Sequence, residues 1–370
     1  MSGALLLVAL VIGGCGSSGS GDATGTVAPQ TRTYYVAADM VAWNYAPRGR
    51  DMITGRPFDA QANVFVRRGV HRIGSTYDKA LFREYTDSSF RHRKARPAKW
   101  AHLGMLGPMI QAQVGDTIRV VFRNNTRLRI GIHPHGVLYA KSSEGALYAD
   151  GTKGADKADD AVAPGRSHTY VWKVPERAGP GPMDPSSVMW MYHGHTDEVA
   201  DQYAGLMGAM IITRRGMARP DGSPKDVDRE IAELFMVSDE NQSPLLAENI
   251  RRYAGDPGHT DPDDEGFVES NKMHMINGYL YGNGPMLVLR RGERVRWYVM
   301  SMGTEVDLHT PHWHGNVVTT MAGMRTDVVS LLPASMMSAD MRPDNPGIWL
   351  LHCHVGDHIL AGMQTRYEVR

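Results

Sequence analysis

Apolar and polar residues alternate in short runs along most of this chain, among them Thr117 to Phe122, Thr169 to Val174, Met207 to Ile212 and Val295 to Met300. A period of two marks a strand with one buried face, and Gly and Pro punctuate the runs as turns require. Long helical periodicity is absent, so the expected helices are few and short. The runs fall into two sets on either side of Arg214 to Val227, where Arg219-Pro220-Asp221-Gly222-Ser223-Pro224 reads as a linker. The expected architecture is all-β in two halves, residues 34–216 and 228–370, joined by 217–227.

One apolar run departs from this pattern. Ala4 to Ile12 is continuous but too short to span a bilayer as a mature helix. It leads into Ile12-Gly13-Gly14-Cys15, which resembles a bacterial lipobox. The expectation is a lipoprotein-type signal segment over 1–15, a lipid anchor on Cys15, and a Gly/Ser-rich flexible tether over 16–33. The protein is then exported, to the periplasm or the cell surface. Only two cysteines are present; with Cys15 lipidated and Cys353 occupied by chemistry described below, none remains for a disulfide.

A length of 370 residues suits about two domains, and 42% hydrophobic residues with abundant Gly and Pro suit compact β-rich modules. A formal net charge of zero argues against a nucleic-acid partner. The basic run Arg91-His92-Arg93-Lys94-Ala95-Arg96 is the local exception and reads as a solvated loop.

The chemistry concentrates in histidine. Ten of the sixteen histidines lie in four short clusters: His133 and His135; His193 and His195; His309, His312 and His314; and His352, His354 and His358. Alternate positions on a strand share a face, as a shared metal centre needs. In His352-Cys353-His354 the thiol therefore points one way and its flanking imidazoles the other. Two histidines, a thiolate and a thioether fit a blue copper site. Zinc is the competing metal for the imidazoles, but it has no use for a Cys/His/Met set.

The motifs His-X-His-Gly, His-X-His, His-X-X-His-X-His and His-Cys-His-X3-His-X4-Met, in that order, make this chain resemble the multicopper oxidases, and within them the ceruloplasmin and hephaestin branch. Glu269-Ser270-Asn271-Lys272-Met273-His274, Glu305-Val306-Asp307-Leu308-His309 and Gly347-Ile348-Trp349-Leu350-Leu351 extend the likeness, which covers nearly everything after about Tyr34. The resemblance implies two cupredoxin-like Greek-key β-sandwich domains and four coppers per active unit, one type 1, one type 2 and two type 3. It assigns His309, Cys353, His358 and axial Met363 to type 1, and His133 and His312 to type 2. The type 3 pair takes His135, His193 and His354 on one copper and His195, His314 and His352 on the other. Gly194 and Leu206 stand where the second half has Cys353 and Met363, so the first half supplies cluster ligands only.

The resemblance further implies O2 as oxidant and a cluster shared between subunits, closing a homotrimer head to tail. Glu269, His274 and Asp357, with Glu305 from an adjacent subunit, match an iron site beside type 1 copper. Ferroxidase activity on Fe2+ is the leading expectation, with laccase-like oxidation of phenols or aromatic amines as the alternative. A non-enzymatic copper-binding protein is a third reading, drawing on twenty-three methionines. Copper nitrite reductase is opposed by Gly194 and by the eight cluster histidines. The acidic loop Asp150 to Asp160 resembles a calcium loop, with Asp159 and Asp160 the best matches and Asp156 weaker; a plain solvated loop is equally open. Glu144 is a candidate proton relay to the cluster.

Overall fold

The computed structural model describes Met1 and residues 28–370, so the expected signal segment, Cys15 and most of the expected tether lie outside the described residues. The alternating runs become strands at the expected places: Thr117–Asn124, Ser167–Lys173, Met207–Thr213 and Val295–Ser301. The opening strand, Thr31–Asn44, begins inside the stretch read as tether. Its first residues are held there because the strand runs parallel to Thr117–Asn124, pairing from Thr31 onward. Among the described residues the longest helix, Leu246–Tyr253, has eight residues, and no helix is long and apolar enough to cross a membrane.

Each half is a β-sandwich. In the first, a sheet ordered Thr76–Tyr85, Thr31–Asn44, Thr117–Asn124, Ser167–Lys173 packs on one ordered Ile110–Gln113, Met207–Thr213, Ser187–Gly194, Ile132–Pro134. Alternation puts Val36, Phe82, Phe122 and Tyr170 of one sheet against Ile110, Met210 and Ile212 of the other. In the second half, Val295, Trp297 and Ala339 of a six-stranded sheet meet Leu351, Cys353 and Tyr367 of a four-stranded one.

The halves repeat the same plan. Thr31–Asn44 lies parallel to Thr117–Asn124, as Arg229–Asp239 lies parallel to Val295–Ser301. The register of the histidine strands also repeats: His133 is opposite His193 on Ile132–Pro134 and Ser187–Gly194, and His312 is opposite His352 on Pro311–Trp313 and Gly347–Cys353. Cross-strand neighbours stand about 5 Å apart, so each pairing gathers four imidazoles.

A third core joins the halves. Tyr45, Phe65, Tyr77 and Met191 from the first half pack with Met236, Met273, Met275, Tyr298 and Met300 from the second. Met273, Met275, Met300, Met302 and Met341 are all buried, and each stabilises the fold by on the order of 2 kcal/mol. They are packing residues, which removes the main support for the copper-storage reading. Residues 217–227 are also well held, with Ala218 bridged to Pro224 and the Arg219 guanidinium donating to the Pro224, Lys225 and Val227 carbonyls.

Candidate metal centre

The strand Gly347–Cys353 ends on a fully buried thiol, and the short helix Gly356–Leu360 turns His358 back towards it. Cys353 Sγ lies 3.6 Å from His358 Nδ1 and 3.8 Å from His309 Nδ1, and the two ring nitrogens are 3.1 Å apart. Burial pushes the thiol up, but His309, His358 and the N–H groups of Thr310 and Val355 outweigh it and bring Cys353 down to about 5. A thiolate is thus favoured at neutral pH, ready to bind metal. Met363 shares this core, its carbonyl accepting from Cys353 N at 3.1 Å and its own N–H donating to the His358 carbonyl at 2.9 Å. Soft sulfur with two imidazoles in a dry pocket is a donor set that fits copper.

His309 is held from its other side. Its Nε2 lies 3.0 Å from Asp307 Oδ1, and both side chains are wholly buried. Burial disfavours the imidazolium, yet the bonds to Asp307 and Cys353 prevail and raise His309 above its ordinary value. Sequence reasoning gave Asp307 no role; its signal was the two-residue spacing to His309, which puts an acid and a ligand on one face.

Two imidazole quartets form on matching strands. In the first half, His135 Nε2 and His193 Nε2 approach to 3.0 Å, while His133 and His195 meet edge to face with ring centres 5.0 Å apart. In the second, His314 Nε2 and His352 Nε2 approach to 3.0 Å, and His312 stands 4.7 Å from His314 and 5.5 Å from His354 between ring centres. The supporting bonds repeat as well. His133 Nδ1 donates to the Glu144 carbonyl at 2.8 Å, and His312 Nδ1 to the Asp327 carbonyl at 2.9 Å. His193 Nδ1 donates to the Gly194 carbonyl at 2.9 Å, and His352 Nδ1 to the Cys353 carbonyl at 2.7 Å. A carbonyl only accepts, so each of these rings keeps its proton on Nδ1 and a lone pair on Nε2 for a metal. Burial, reinforced by neighbouring imidazoles, lowers His135 to about 4 and His193 to about 3, keeping both neutral. Among the described residues no ring contact joins one quartet to the other.

The first half does not repeat the donor set of His309, Cys353, His358 and Met363, for a steric reason as well as a compositional one. A Cβ at Gly194 would come within 2.6 Å of Asp201 Cβ. Asp201 lies five residues before Leu206, as His358 lies five before Met363. Asp201 is buried, its Oδ2 accepting from Thr196 N at 2.9 Å and Asp197 N at 3.2 Å. Ile130 and His309 take equivalent bridges, to Val162 and Leu331. Thus Ile130, Gly194, Asp201 and Leu206 fill the place of His309, Cys353, His358 and Met363.

Residues 84–216 and 256–370 each match the family description Multicopper oxidase. The chain belongs to the multicopper oxidases. It is similar to hephaestin of Homo sapiens, 45% identical over 92% of this chain and 29% of that protein. It is also similar to ceruloplasmin of Homo sapiens, 41% identical over 91% of this chain and 30% of that protein. The protein described as ferroxidase HEPHL1 of Homo sapiens is 44% identical over 94% of this chain and 30% of its own length. The chain therefore spans about three tenths of these relatives. Its cupredoxin-like fold is shared with a solved multicopper oxidase at TM-score 0.56, 16% identity and coverage of 92% and 88% of the two chains. A copper nitrite reductase from Nitrosomonas europaea has the same fold at TM-score 0.57, 14% identity and coverage of 92% and 94%.

The other expected residues of this multicopper oxidase are distributed unevenly. Among the described residues, two sets of three bring their ligand atoms within 4.8 Å: His309, Cys353, His358 and His312, His314, His352. Glu269, His274 and Asp357 are not such a set. His274 is buried against His358, ring centres 5.2 Å apart, and its Nδ1 donates to the Lys272 carbonyl at 3.0 Å. Asp357 and Glu305 are exposed, and Glu269, also exposed, pairs with Lys272 at 3.1 Å. Glu144 holds His133 through its main chain; its carboxylate accepts from Lys141 at 2.5 Å and Tyr148 at 2.9 Å. In the acidic loop Asp156 is exposed, and Lys157 reaches both Asp150 at 3.2 Å and Asp160 at 3.0 Å. Asp159 Oδ1 is buried with no partner, a lone pair that suits a hard cation.

Proposed function

We propose that this multicopper oxidase is a ferroxidase, taking electrons singly from Fe2+ and delivering them to O2. The observation that carries this reading is the surroundings of the type 1 imidazoles. His309 is turned inward onto Asp307, whereas His358 has the tilted His274 ring against it, centres 5.2 Å apart, and the exposed Asp357 directly before it. Iron as substrate is therefore assigned to the His358 side. Carboxylates from Asp357, Glu269 and an adjacent subunit's equivalent of Glu305 favour ferric over ferrous iron, which directs electrons towards the protein.

Copper held by His309, Cys353, His358 and Met363, and by the eight quartet histidines, would supply the one-electron storage that the four-electron reduction of O2 to water needs. Cys353 is bonded in sequence to His352 and His354, so a short covalent path joins the two donor sets. The 3.0 Å approaches of His135 to His193 and of His314 to His352 support the division of type 3 ligands given above, with His133 and His312 as the type 2 pair. The two quartets lie on different halves, and among the described residues no ring contact joins them, so we assign their meeting to a head-to-tail ring of subunits, a homotrimer. Glu144, beside His133, is kept as proton relay, and the unpartnered Asp159 Oδ1 supports a structural Ca2+ at Asp159 and Asp160.

Laccase-like oxidation of a phenol is the second reading, favoured by the pairing of Glu269 with Lys272. Oxygen uptake with Fe2+ and with a phenol, on wild type and the Glu269→Ala/Asp357→Ala double variant, separates the two. Ferroxidase function predicts at least ~10-fold lower Fe2+ turnover with phenol turnover little changed. Unchanged Fe2+ turnover would refute the iron site.

A further inference from the structure

The basic run Arg91 to Arg96 is a loop exposed from Arg91 to Ala95, as its sequence suggests, but Arg96 departs from that reading. Arg96 turns inward, donating through Nη1 to the Gly104 carbonyl at 2.9 Å and through Nη2 to the Leu106 carbonyl. It walls a cleft of about 780 Å³ with Arg83, Arg93, Trp43, Trp100 and Tyr279, a volume suited to a small molecule. Trp43 is fixed by its Nε1–H, which donates across the seam between the halves to the Gly278 carbonyl at 2.7 Å, and its ring lies 5.2 Å from Tyr279.

The charge in this cleft is unbalanced. Five cations, Arg83, Arg93, Lys94, Arg96 and Lys99, line it against two acids, Glu84 and Asp221. Lys94 pairs with Glu84 at 2.8 Å and Lys99 lies 3.6 Å from Asp221. Among the described residues, Arg83, Arg93 and Arg96 have no carboxylate within ion-pair distance. Arg83 is only 8% exposed, and its recorded bonds run from Nη1 to the Phe82 and Met105 carbonyls, at 3.1 and 3.4 Å. Burial, then repulsion from Arg96 and Arg93, lowers Arg83 to about 10. Cations crowded into a low-dielectric wall without counter-charge destabilise one another, and planar guanidiniums match carboxylates two bonds at a time.

We propose that this cleft binds a small organic anion bearing two or more carboxylates. Arg83, Arg93 and Arg96 receive its oxygens, and its carbon body lies against Trp43 and Tyr279. The site is separate from the copper ligands, and it stands whether or not the ferroxidase reading does.

Calorimetric titration of the copper-loaded full chain with tricarballylate, inorganic phosphate and acetate tests this. Tricarballylate is chosen because it lacks the hydroxyl that makes citrate a strong chelator. The expected result is saturable one-site binding of tricarballylate, weakened by added salt, with acetate silent and phosphate at least ~10-fold weaker. Arg93→Gln, at an exposed position, should weaken tricarballylate about tenfold while leaving melting temperature and O2 uptake unchanged. Equal affinity in Arg93→Gln, or no saturable binding of any probe, overturns the site. Phosphate binding more tightly than tricarballylate overturns the assignment to carboxylates.

Discussion

Asp307 accepts from His309 Nε2 at 3.0 Å in a region closed to solvent, while His309 Nδ1 faces the Cys353 sulfur at 3.8 Å. The carboxylate therefore decides which ring nitrogen is left for the metal. It is itself clamped by N–H donors of Val237 at 2.6 Å and Thr304 at 2.8 Å.

Removing that charge should move the type 1 potential. A buried carboxylate beside a ligand favours the more positive oxidation state, so Asp307→Asn is expected to raise the potential while the blue band persists. Redox titration of the blue absorption reads this; an unchanged or lowered potential contradicts it. Asp307→Ala also strands the Val237 and Thr304 N–H groups, and should lower stability by roughly 2–4 kcal/mol in thermal melts.

Subunit complementation addresses the assembly. His135→Ala damages only the first-half quartet and His354→Ala only the second-half quartet. Each variant alone should be inactive in O2 uptake. Co-folded together, they should regain part of the activity, because some interfaces then pair two intact quartets. No recovery, or a fully active monomer in sedimentation, would count against the shared cluster.

Space at Gly194 is already taken by Asp201, whose Cβ would be 2.6 Å from an added Cβ. Gly194→Ala is expected to cost about 1–3 kcal/mol from overpacking. Gly194→Cys should yield no second blue site, since Ile130 and Leu206 occupy the other donor positions. A second blue absorption band in that variant would refute the account.

Asp201 should also make stability depend on pH. Burial raises its carboxyl to about 7, against the opposing pull of main-chain N–H groups. The folded state then holds this proton more tightly than the unfolded chain, whose Asp titrates near ~4. Stability from this group declines as pH rises from about 4 to about 7 and is level above that. Asp201→Asn should remove roughly 2 kcal/mol of that decline between pH 5 and pH 7, measured by denaturant melts across the range. Parallel pH profiles for the two proteins would show that Asp201 does not titrate there.

The candidate donor set was legible because strand alternation is a local rule. His352 and His354 fall on one face and Cys353 on the other by spacing alone, and the structure keeps His352 and His354 together at 5.4 Å between ring centres. The substitutions at Gly194 and Leu206 were equally visible, since they are absences of a donor. Asp307, Asp201 and Arg96 were not, because each acts on a group brought to it by folding. Asp307 had been only part of a motif, Asp201 had drawn no attention, and Arg96 looked like surface charge.

The sequence by itself determined the candidate donors, their order and the alternating strands of two β-rich halves. Those properties depend on residue type and on a two-residue period, which need no knowledge of distant neighbours. Only the tertiary structure decided that His133 meets His193 and His312 meets His352 in matching register. It alone turned His309 inward onto Asp307 and left His358 beside His274, and it alone drew Arg83, Arg93 and Arg96 around one cleft. Burial and charge proximity are set by how sheets pack across the chain, and alternation along a strand carries no record of which surface it will meet.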